Sequence, residues 1–317
     1  MTRARLGVCH ARITTKASSS HYLYRRNVVR CFVLFVTLLV PIQAESQTPL
    51  HRLFLKVVDQ TGRPVDGLTA SDFVVTEAGM ARTVTCVKLA DDPMRIVLLI
   101  DTSHNVQPAI DNIRSAVQAF VDGIPPQHEI ALVTIGNTPV IRQAPTTDHA
   151  KLKDLAKKLT TSGSTILLSG LLEMYDRFLR NAIDRWPLMV IVTSDGEEGS
   201  AAVDTAKFTA AAQDMQLKDV IVHAIVLSVM GQGLEVQISQ ALTQATAGHY
   251  DSISAARALP TKMEELAKII AASYDRTRTE YLLEYASDTK DPKADIRVDI
   301  PSKQNVSVTI SRQGRIR

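Results

Sequence analysis

Cysteine, glycine and proline are all scarce in this chain of 317 residues. Three cysteines are too few for a disulfide-stapled scaffold, and no Cys-x-x-Cys or Cys/His spacing predicts a zinc site. With 14 glycines and 13 prolines, the chain is neither collagen-like nor of low complexity. Hydrophobic residues make up 45% and charged residues 22%, which is ordinary for a globular protein with a real core.

The common catalytic motifs are also absent. The sequence contains no Gly-x-Ser-x-Gly elbow, no His-Glu-x-x-His helix and no Gly-x-x-x-x-Gly-Lys phosphate loop. Gly231-Gln-Gly233 lacks the third glycine of a dinucleotide-binding turn. We therefore expect no catalytic residues, no organic cofactor and no enzymatic activity.

Acidic residues are missing from the first 44 positions, which hold seven basic side chains. The rest of the chain carries 29 basic and 33 acidic residues, a net charge of −4 against +3 for the whole. An acidic remainder is a poor match for nucleic acid or anionic lipid. We therefore expect no nucleic-acid partner.

Residues 1–44 have the pattern of an export signal. A basic stretch precedes the apolar run 31–40, and the small-residue end at Ala44 is followed by polar residues. About ten apolar residues span only about 15 Å as a helix, half the hydrocarbon core of a bilayer. The sequence predicts a secreted or periplasmic protein without a membrane span, whereas an uncleaved leader would anchor it to the membrane.

The mature part divides into three stretches of different periodicity. Residues 49–92 read as short alternating strands, residues 93–276 as alternating strands and helices, and residues 278–317 again as strands. The strands of the middle stretch are continuously apolar, which indicates a mostly parallel sheet covered by helices on both faces. We predict a doubly wound α/β domain with a short antiparallel edge hairpin after Gly136-Asn137.

Polar side chains follow two of these apolar strands. Asp101 and Ser103 come after the strand 95–100, and Asp195 comes after the strand 188–193. Thr165 opens a helix from a hydroxyl-rich turn. Ligands of open α/β sheets bind beyond the carboxyl ends of the strands, and oxygen donors suit a hard cation. The sequence therefore predicts a Mg²⁺ site at this edge.

The pattern resembles the von Willebrand factor type A (VWA) domain and its metal-ion-dependent adhesion site. The family motif Asp-x-Ser-x-Ser reads Asp101-Thr-Ser103-His-Asn105 here, and Thr165 and Asp195 match the family's later threonine and aspartate. The chain departs from the pattern at Asn105, which offers an amide oxygen instead of a hydroxyl. A late element, Thr246-Ala-Gly-His-Tyr250, is similar to the family's Thr-Gly-Gly-x-Tyr.

The resemblance implies Mg²⁺ or Mn²⁺ held by Asp101, Ser103, Asn105, Thr165 and Asp195. It further implies an acidic side chain of a partner protein completing the metal shell, which is recognition or adhesion without turnover. The segments 57–77 and Thr279-x-Tyr-Leu-Leu-x-Tyr285 are similar to VWFA-related proteins of acidobacteria. In that interpretation the two outer segments pair into a small β-sandwich-like module.

Other interpretations of the same residues remain open. Asp101 and Asp195 are also typical helix N-caps, which would leave a metal-free scaffold with a degenerate site. A secreted metal-assisted hydrolase would need a general base such as Glu197 or Glu198, which otherwise form a solvated acidic rim. His104 is expected to face solvent, and His223, inside an apolar strand, to be an interior histidine with its hydrogen bonds satisfied.

Overall fold

A computed structural model gives the fold of this chain. The chain divides into two units at Thr48, and the fold described here is that of the second, Pro49–Arg317. The structure describes residues 50–182, 184–196, 198–200, 204–228, 233–289 and 295–316. The predicted leader 1–44 lies outside the described residues. Among the helices of these ranges, none has both the length and the apolar character needed to cross a bilayer.

Thirteen strands and six α-helices are found in the described residues. The strands are β1 Leu50–Asp59, β2 Val74–Glu77, β3 Met80–Arg82, β4 Val84–Leu89, β5 Met94–Ile100, β6 Glu129–Gly136, β7 Thr138–Thr146, β8 Trp186–Ser194, β9 Ile221–Leu227, β10 Tyr250–Ile253, β11 Tyr281–Ala286, β12 Ile296–Asp299 and β13 Val306–Ile316. The helices are α1 Ile110–Gly123, α2 His149–Ala156, α3 Leu167–Met174, α4 Thr205–Leu217, α5 Leu234–Ala245 and α6 Leu259–Thr277.

The largest sheet has six strands in the order β10-β9-β8-β5-β6-β7. All neighbours are parallel except β7, which returns antiparallel beside β6 at the edge. This confirms the predicted α/β fold class. The helix that Thr165 is predicted to open begins two residues later, as α3, which ends at Met174 and is followed by a π-helical turn over Tyr175–Leu179.

Alternation along β5 explains why both faces of the sheet are covered. Ile96 and Leu98 pack with buried residues of α1, α2 and α6, whereas Val97 and Leu99 pack with α3, α4 and α5. All four side chains are fully buried. A strand that is buried on both faces must be apolar at every position, so the first polar side chain after β5 marks the edge of the sheet.

Strand β10 was missed by the sequence interpretation, although the Thr246–Tyr250 element leads into it. The hydroxyl of Thr246 accepts the backbone N–H of Val222 at 3.0 Å and donates to the Leu242 carbonyl at 2.8 Å. A Cβ at Gly248 would lie 1.7 Å from the Val222 carbonyl oxygen, so only glycine fits. This element thus fastens α5 and β10 to β9.

The outer segments form two smaller sheets, in the orders β13-β1-β11-β4 and β12-β2-β3. Strand β1 from the beginning of the chain lies between β11 and β13 from its end, antiparallel to both. A separate core fills the space between the sheets and includes Leu53, Val75 and Leu283. The accessory β-module predicted from the terminal segments is confirmed, while the boundaries at residues 92–93 and 276–278 stay predictions.

Two tyrosines of the C-terminal motif explain why the outer segments belong together. The hydroxyl of Tyr281 donates to the Val65 carbonyl at 2.9 Å and accepts the Leu68 N–H at 3.1 Å. The hydroxyl of Tyr285 donates to Glu77 at 3.0 Å. The segment 57–77 and the C-terminal motif are therefore joined by polar contacts that fix the register of the module.

Candidate metal site

The site begins where β5 and β8 end side by side. Ile100 pairs with Val192 in the parallel ladder, and the backbone N–H of Asp101 donates to the Val192 carbonyl at 2.7 Å. The ladder therefore brings Asp101 and the Ser194-Asp195 turn to the same edge of the sheet, as the sequence predicts.

The carboxylate of Asp101 is fully buried and is surrounded by small donors. Its Oδ1 accepts the Ser103 backbone N–H at 2.7 Å, and its Oδ2 accepts the Ser194 hydroxyl at 2.7 Å. Thr165 Oγ1 lies 3.1 Å from Asp101 Oδ2 and 3.0 Å from Ser103 Oγ. Among the described residues, no Lys, Arg or His forms an ion pair with Asp101. The structure thus brings Asp101, Ser103 and Thr165 together.

A glycine at the end of β6 allows the Thr165 loop to approach. A Cβ at Gly136 would lie 2.5 Å from the Ser162 carbonyl oxygen and 2.7 Å from that of Thr102. Across this gap the Ser162 N–H donates to the Thr102 carbonyl at 2.7 Å, and the His104 N–H donates to the Gly163 carbonyl at 2.9 Å. These backbone bonds hold the Thr165 loop against the Asp101 loop.

Asp195 and Asn105 lie beside this cluster. Asp195 is half-buried, and its Oδ2 accepts the Ser228 hydroxyl at 2.8 Å. The side chain of Asn105 packs on Gly196, the residue that follows Asp195, since a Cβ at Gly196 would lie 2.0 Å from Asn105 Nδ2. Asn105 is exposed as a residue, at the rim of the site. Contact between Asn105 and Gly196 joins the loops after β5 and β8.

Helix capping does not account for Asp195. Helix α4, the next along the chain, begins at Thr205 and is capped by Asp204, which accepts the Lys207 N–H at 3.1 Å. Asp101 does form a local turn through Ser103, but its second oxygen binds side chains from two other loops. The arrangement is that of a site assembled from several loops.

Glu198 does not belong to a solvated acidic rim, which was the expectation for positions 197 and 198. This side chain is half-buried and accepts the Leu167 N–H at 3.0 Å and the Ser200 N–H at 2.9 Å. Glu198 therefore stabilises the start of α3 instead of being solvated. Glu197 lies outside the described residues. His104 is exposed, as expected.

A buried acid near the site was missed by the sequence interpretation. Glu235, at the second position of α5, is 0% exposed, and neither carboxylate oxygen has a hydrogen-bond partner within the described part of the chain. Burial, against the opposing effect of its own backbone N–H and together with the nearby carboxylates of Glu198, Asp101 and Asp195, raises the pKa of Glu235 to about 7. The sequence does contain a weak indication of its burial, because Glu235 shares a helical face with the apolar residues Ile238 and Leu242.

The donor set fits a hard divalent cation. Carboxylates at Asp101 and Asp195 and hydroxyls at Ser103 and Thr165 are oxygen ligands of the kind that Mg²⁺ prefers. No three or more His, Cys, Asp or Glu side chains of the described residues are arranged to hold a metal ion by themselves. Hydroxyls and water would therefore supply most of the coordination.

Comparison with known proteins supports this interpretation of the fold. Residues 96–198 match the family model of the von Willebrand factor type A domain. The resemblance inferred from the sequence motifs is confirmed over this range, which contains all five predicted metal ligands. No curated protein sequence matches the chain.

One solved structure extends the likeness in fold beyond residues 96–198. A von Willebrand factor type A protein from Catenulispora acidiphila superposes with a TM-score of 0.51 at 13% identity, covering 86% of this chain and 74% of that chain. The vWF domain of the type V pili tip protein Mfa5 from Porphyromonas gingivalis gives a TM-score of 0.45 at 14% identity, covering 58% and 97%. At these identities the likeness concerns the fold alone.

Proposed function

We propose that this VWA domain binds Mg²⁺ or Mn²⁺ through Asp101, Ser103, Thr165 and Asp195, with Asn105 at the rim. The observation that carries the proposal is the Asp101 carboxylate, which is fully buried beside two buried hydroxyls and has no cationic partner among the described residues. A buried carboxylate without an opposite charge is costly, and a bound cation removes that cost.

The bound cation would bind a carboxylate from a protein partner. A divalent ion held by two protein carboxylates keeps water-filled positions, and a negatively charged oxygen ligand is the natural replacement for such a water. The role proposed is recognition or adhesion without turnover. The partner is a protein that offers an Asp or Glu side chain at its surface.

Thermal unfolding in EDTA, Mg²⁺ and Mn²⁺ tests the cation site. At one hundred times its dissociation constant, a cation adds about 2.7 kcal/mol to the free energy of unfolding. For a chain of this size we expect the melting temperature to rise by roughly 5–10 °C. Asp195→Ala should abolish the rise. Asp154→Ala, which removes an exposed aspartate on α2, should keep it. A wild-type protein that melts identically in EDTA and in Mn²⁺ would contradict the proposal.

Binding of a carboxylate is tested on the Mn²⁺-loaded protein. A short peptide with a single glutamate should change the electron paramagnetic resonance spectrum of the bound Mn²⁺, because its carboxylate replaces a water. The same peptide with glutamine should leave the spectrum unchanged. Equal responses to both peptides would show that the cation does not select carboxylates.

Export is the final part of the proposal. The basic and apolar pattern of residues 1–44 supports a cleaved signal, which would place the domain in the periplasm or in the medium. The intact mass of the protein recovered from the periplasm or medium should correspond to a chain that begins near Glu45. Full-length mass in the membrane fraction would instead indicate an uncleaved anchor.

A further inference from the structure

Glu235 is a carboxylic acid that is fully buried, which is unusual for an ionisable side chain. It lies at the start of α5, is 0% exposed, and has both carboxylate oxygens without a hydrogen-bond partner within the described ranges. Buried polar groups in proteins are nearly always satisfied by protein or by ordered water. A buried acid left unsatisfied by the protein therefore indicates a bound water or ion.

The surroundings of Glu235 are acidic. The carboxylates of Asp101, Asp195 and Glu198 all act on it electrostatically. Its position is close to the Asp195 turn, since a Cβ at Gly233 would lie 3.3 Å from Glu235 Oε2 and 3.5 Å from the Asp195 carbonyl oxygen. No base among the described residues forms an ion pair with Glu235. An acid added to an already acidic site favours a cation there.

Two hydroxyls in the same layer also lack partners. Ser239 lies one turn after Glu235 on α5, and its Oγ is buried without a hydrogen bond in the described structure. Thr193 of β8 follows Met189 and Ile191 at alternate positions, so it faces the core layer that contains α5, and its Oγ1 is also unsatisfied. Thr193 lies two residues before Asp195 at the end of β8, and Glu235 and Ser239 lie in the first half of α5, on the same side of the sheet.

We propose that Glu235 is the third carboxylate of the metal site and acts on the bound cation through a water molecule held with Thr193 and Ser239. This inference rests on the proposed cation site. Water is the connecting group because no three acidic side chains of the described residues converge on one point. A water that joins these oxygens would have the two to four polar partners that internal waters require.

The consequence is a stronger preference for divalent cations. Two carboxylates balance the charge of Mg²⁺ or Mn²⁺, and a third nearby adds attraction without occupying a coordination position. The position that faces the partner would therefore stay free. Glu235 is in this scheme a positioning residue, because it touches the water and not the cation.

Mn²⁺ binding to the whole protein tests the inference, with the free ion measured by its electron paramagnetic resonance signal. Glu235→Gln keeps the shape of the side chain and removes its charge. Removal of a group that supports metal ligands typically weakens metal affinity about 10–100-fold, and we expect a loss in this range. Glu129→Gln, at the opposite end of the sheet, is the matched control and should bind Mn²⁺ like the wild type.

Stability in EDTA distinguishes a metal role from a merely structural one. Glu235→Gln should melt in EDTA at the wild-type temperature or above, because the unpartnered acid is gone. Should this variant fail to fold, Ser239→Ala removes one of the oxygens that hold the water, and we expect it to weaken Mn²⁺ binding several-fold. Weaker binding in a variant of unchanged stability supports the inference.

Two results would overturn it, and they differ. A wild-type protein that binds no Mn²⁺ would refute both the cation site and the role of Glu235. If the wild type binds Mn²⁺ and Glu235→Gln binds it equally well, the cation site stands and the role of Glu235 is refuted.

Discussion

The buried residues His223 and Glu235 differ in their hydrogen bonding. His223 is 8% exposed on β9, and its Nδ1 accepts the His249 backbone N–H at 2.9 Å. Burial, together with the neighbouring His249, lowers the pKa of His223 to about 4. The side chain is thus neutral and hydrogen-bonded, as expected of an interior histidine, whereas the Glu235 carboxylate accepts no hydrogen bond from another residue of the described ranges.

His223 makes the stability of the folded protein depend on pH. Its pKa is about 4 in the folded protein and about 6.5 in the unfolded chain, so the unfolded state takes up a proton first as the pH falls. Stability from this group is fully present above pH 6.5 and is lost towards pH 4. We expect a loss of about 2 kcal/mol between pH 7 and pH 5. The difference between the wild type and a His223 variant in chemical denaturation at both pH values measures it, because burial also lowers the pKa of His128 to about 4.

His223→Asn is the informative variant, because an amide oxygen can accept the same backbone N–H without titrating. Its free energy of unfolding should fall less than that of the wild type between pH 7 and pH 5. His104→Asn, at an exposed position, should keep the wild-type dependence. Identical pH profiles for all three proteins would show that His223 is not the group responsible.

At the scale of elements, the site depends on the distance between the loop that follows β5 and the loop that precedes α3. The Thr102 and Ser162 backbones both contact the end of β6 where Gly136 has no side chain. The hydroxyl of Thr165 reaches Asp101 only because the loops are held at this separation. The geometry of the site is therefore a property of backbone packing as much as of its ligands.

Gly136→Ala should separate the loops. Its Cβ would meet two carbonyl oxygens at 2.5 and 2.7 Å, which are backbone atoms that cannot rotate away. Overpacking of this kind costs about 1–3 kcal/mol, and we expect the Mn²⁺-induced rise in melting temperature to disappear as well. Differential scanning calorimetry with EDTA and with Mn²⁺ measures both effects.

The control for this variant is Gly62→Ala. Gly62 has a φ of +80° in an exposed turn of the β-module, with no atom within 4 Å of the added Cβ. Alanine there costs about 1–2 kcal/mol for the left-handed conformation alone. The Mn²⁺ response should survive in Gly62→Ala. Loss of the response in both variants would mean that any destabilisation abolishes it.

The sequence predicted most elements of this fold because their signals are local. Apolar runs such as 95–100 and 188–193 mark buried parallel strands, and each proved to be one. Strand β10 has only four residues with one fully buried side chain, so no local pattern distinguished it from a loop. Of the site, Asp101 and Thr165 follow from strand ends and the family motif. Glu235 does not, because its importance depends on a tertiary contact with the Asp195 turn.

At the scale of the whole molecule, the contacts that join the β-module to the α/β domain include an aromatic pair and an ion pair. The rings of Phe54 on β1 and Trp186 on β8 lie 5.4 Å apart in an edge-to-face arrangement. Arg52 forms an ion pair with Asp219 at 3.3 Å. Trp186 is the single tryptophan of the chain, so its fluorescence reports on this junction.

Phe54→Ala should therefore change the native fluorescence of Trp186. The loss of a buried phenylalanine costs about 3–5 kcal/mol, and the emission maximum should shift to longer wavelength as water reaches the indole. Phe73→Ala removes a phenylalanine buried in the module core away from Trp186, and it should destabilise without the shift. The same native spectrum for Phe54→Ala and Phe73→Ala would contradict the proposed junction.

The central place of β1 between β11 and β13 also sets an order of events during synthesis. His51 and Tyr285, which contact each other in the module, are 234 residues apart along the chain. Closing a loop of that length is slow, whereas the strands and helices of the α/β domain lie closer together in sequence. Strand β1 therefore leaves the ribosome long before β11 and is among the last of the described strands to find its neighbours, and the α/β domain can fold inside the loop that β1 and β11 eventually close.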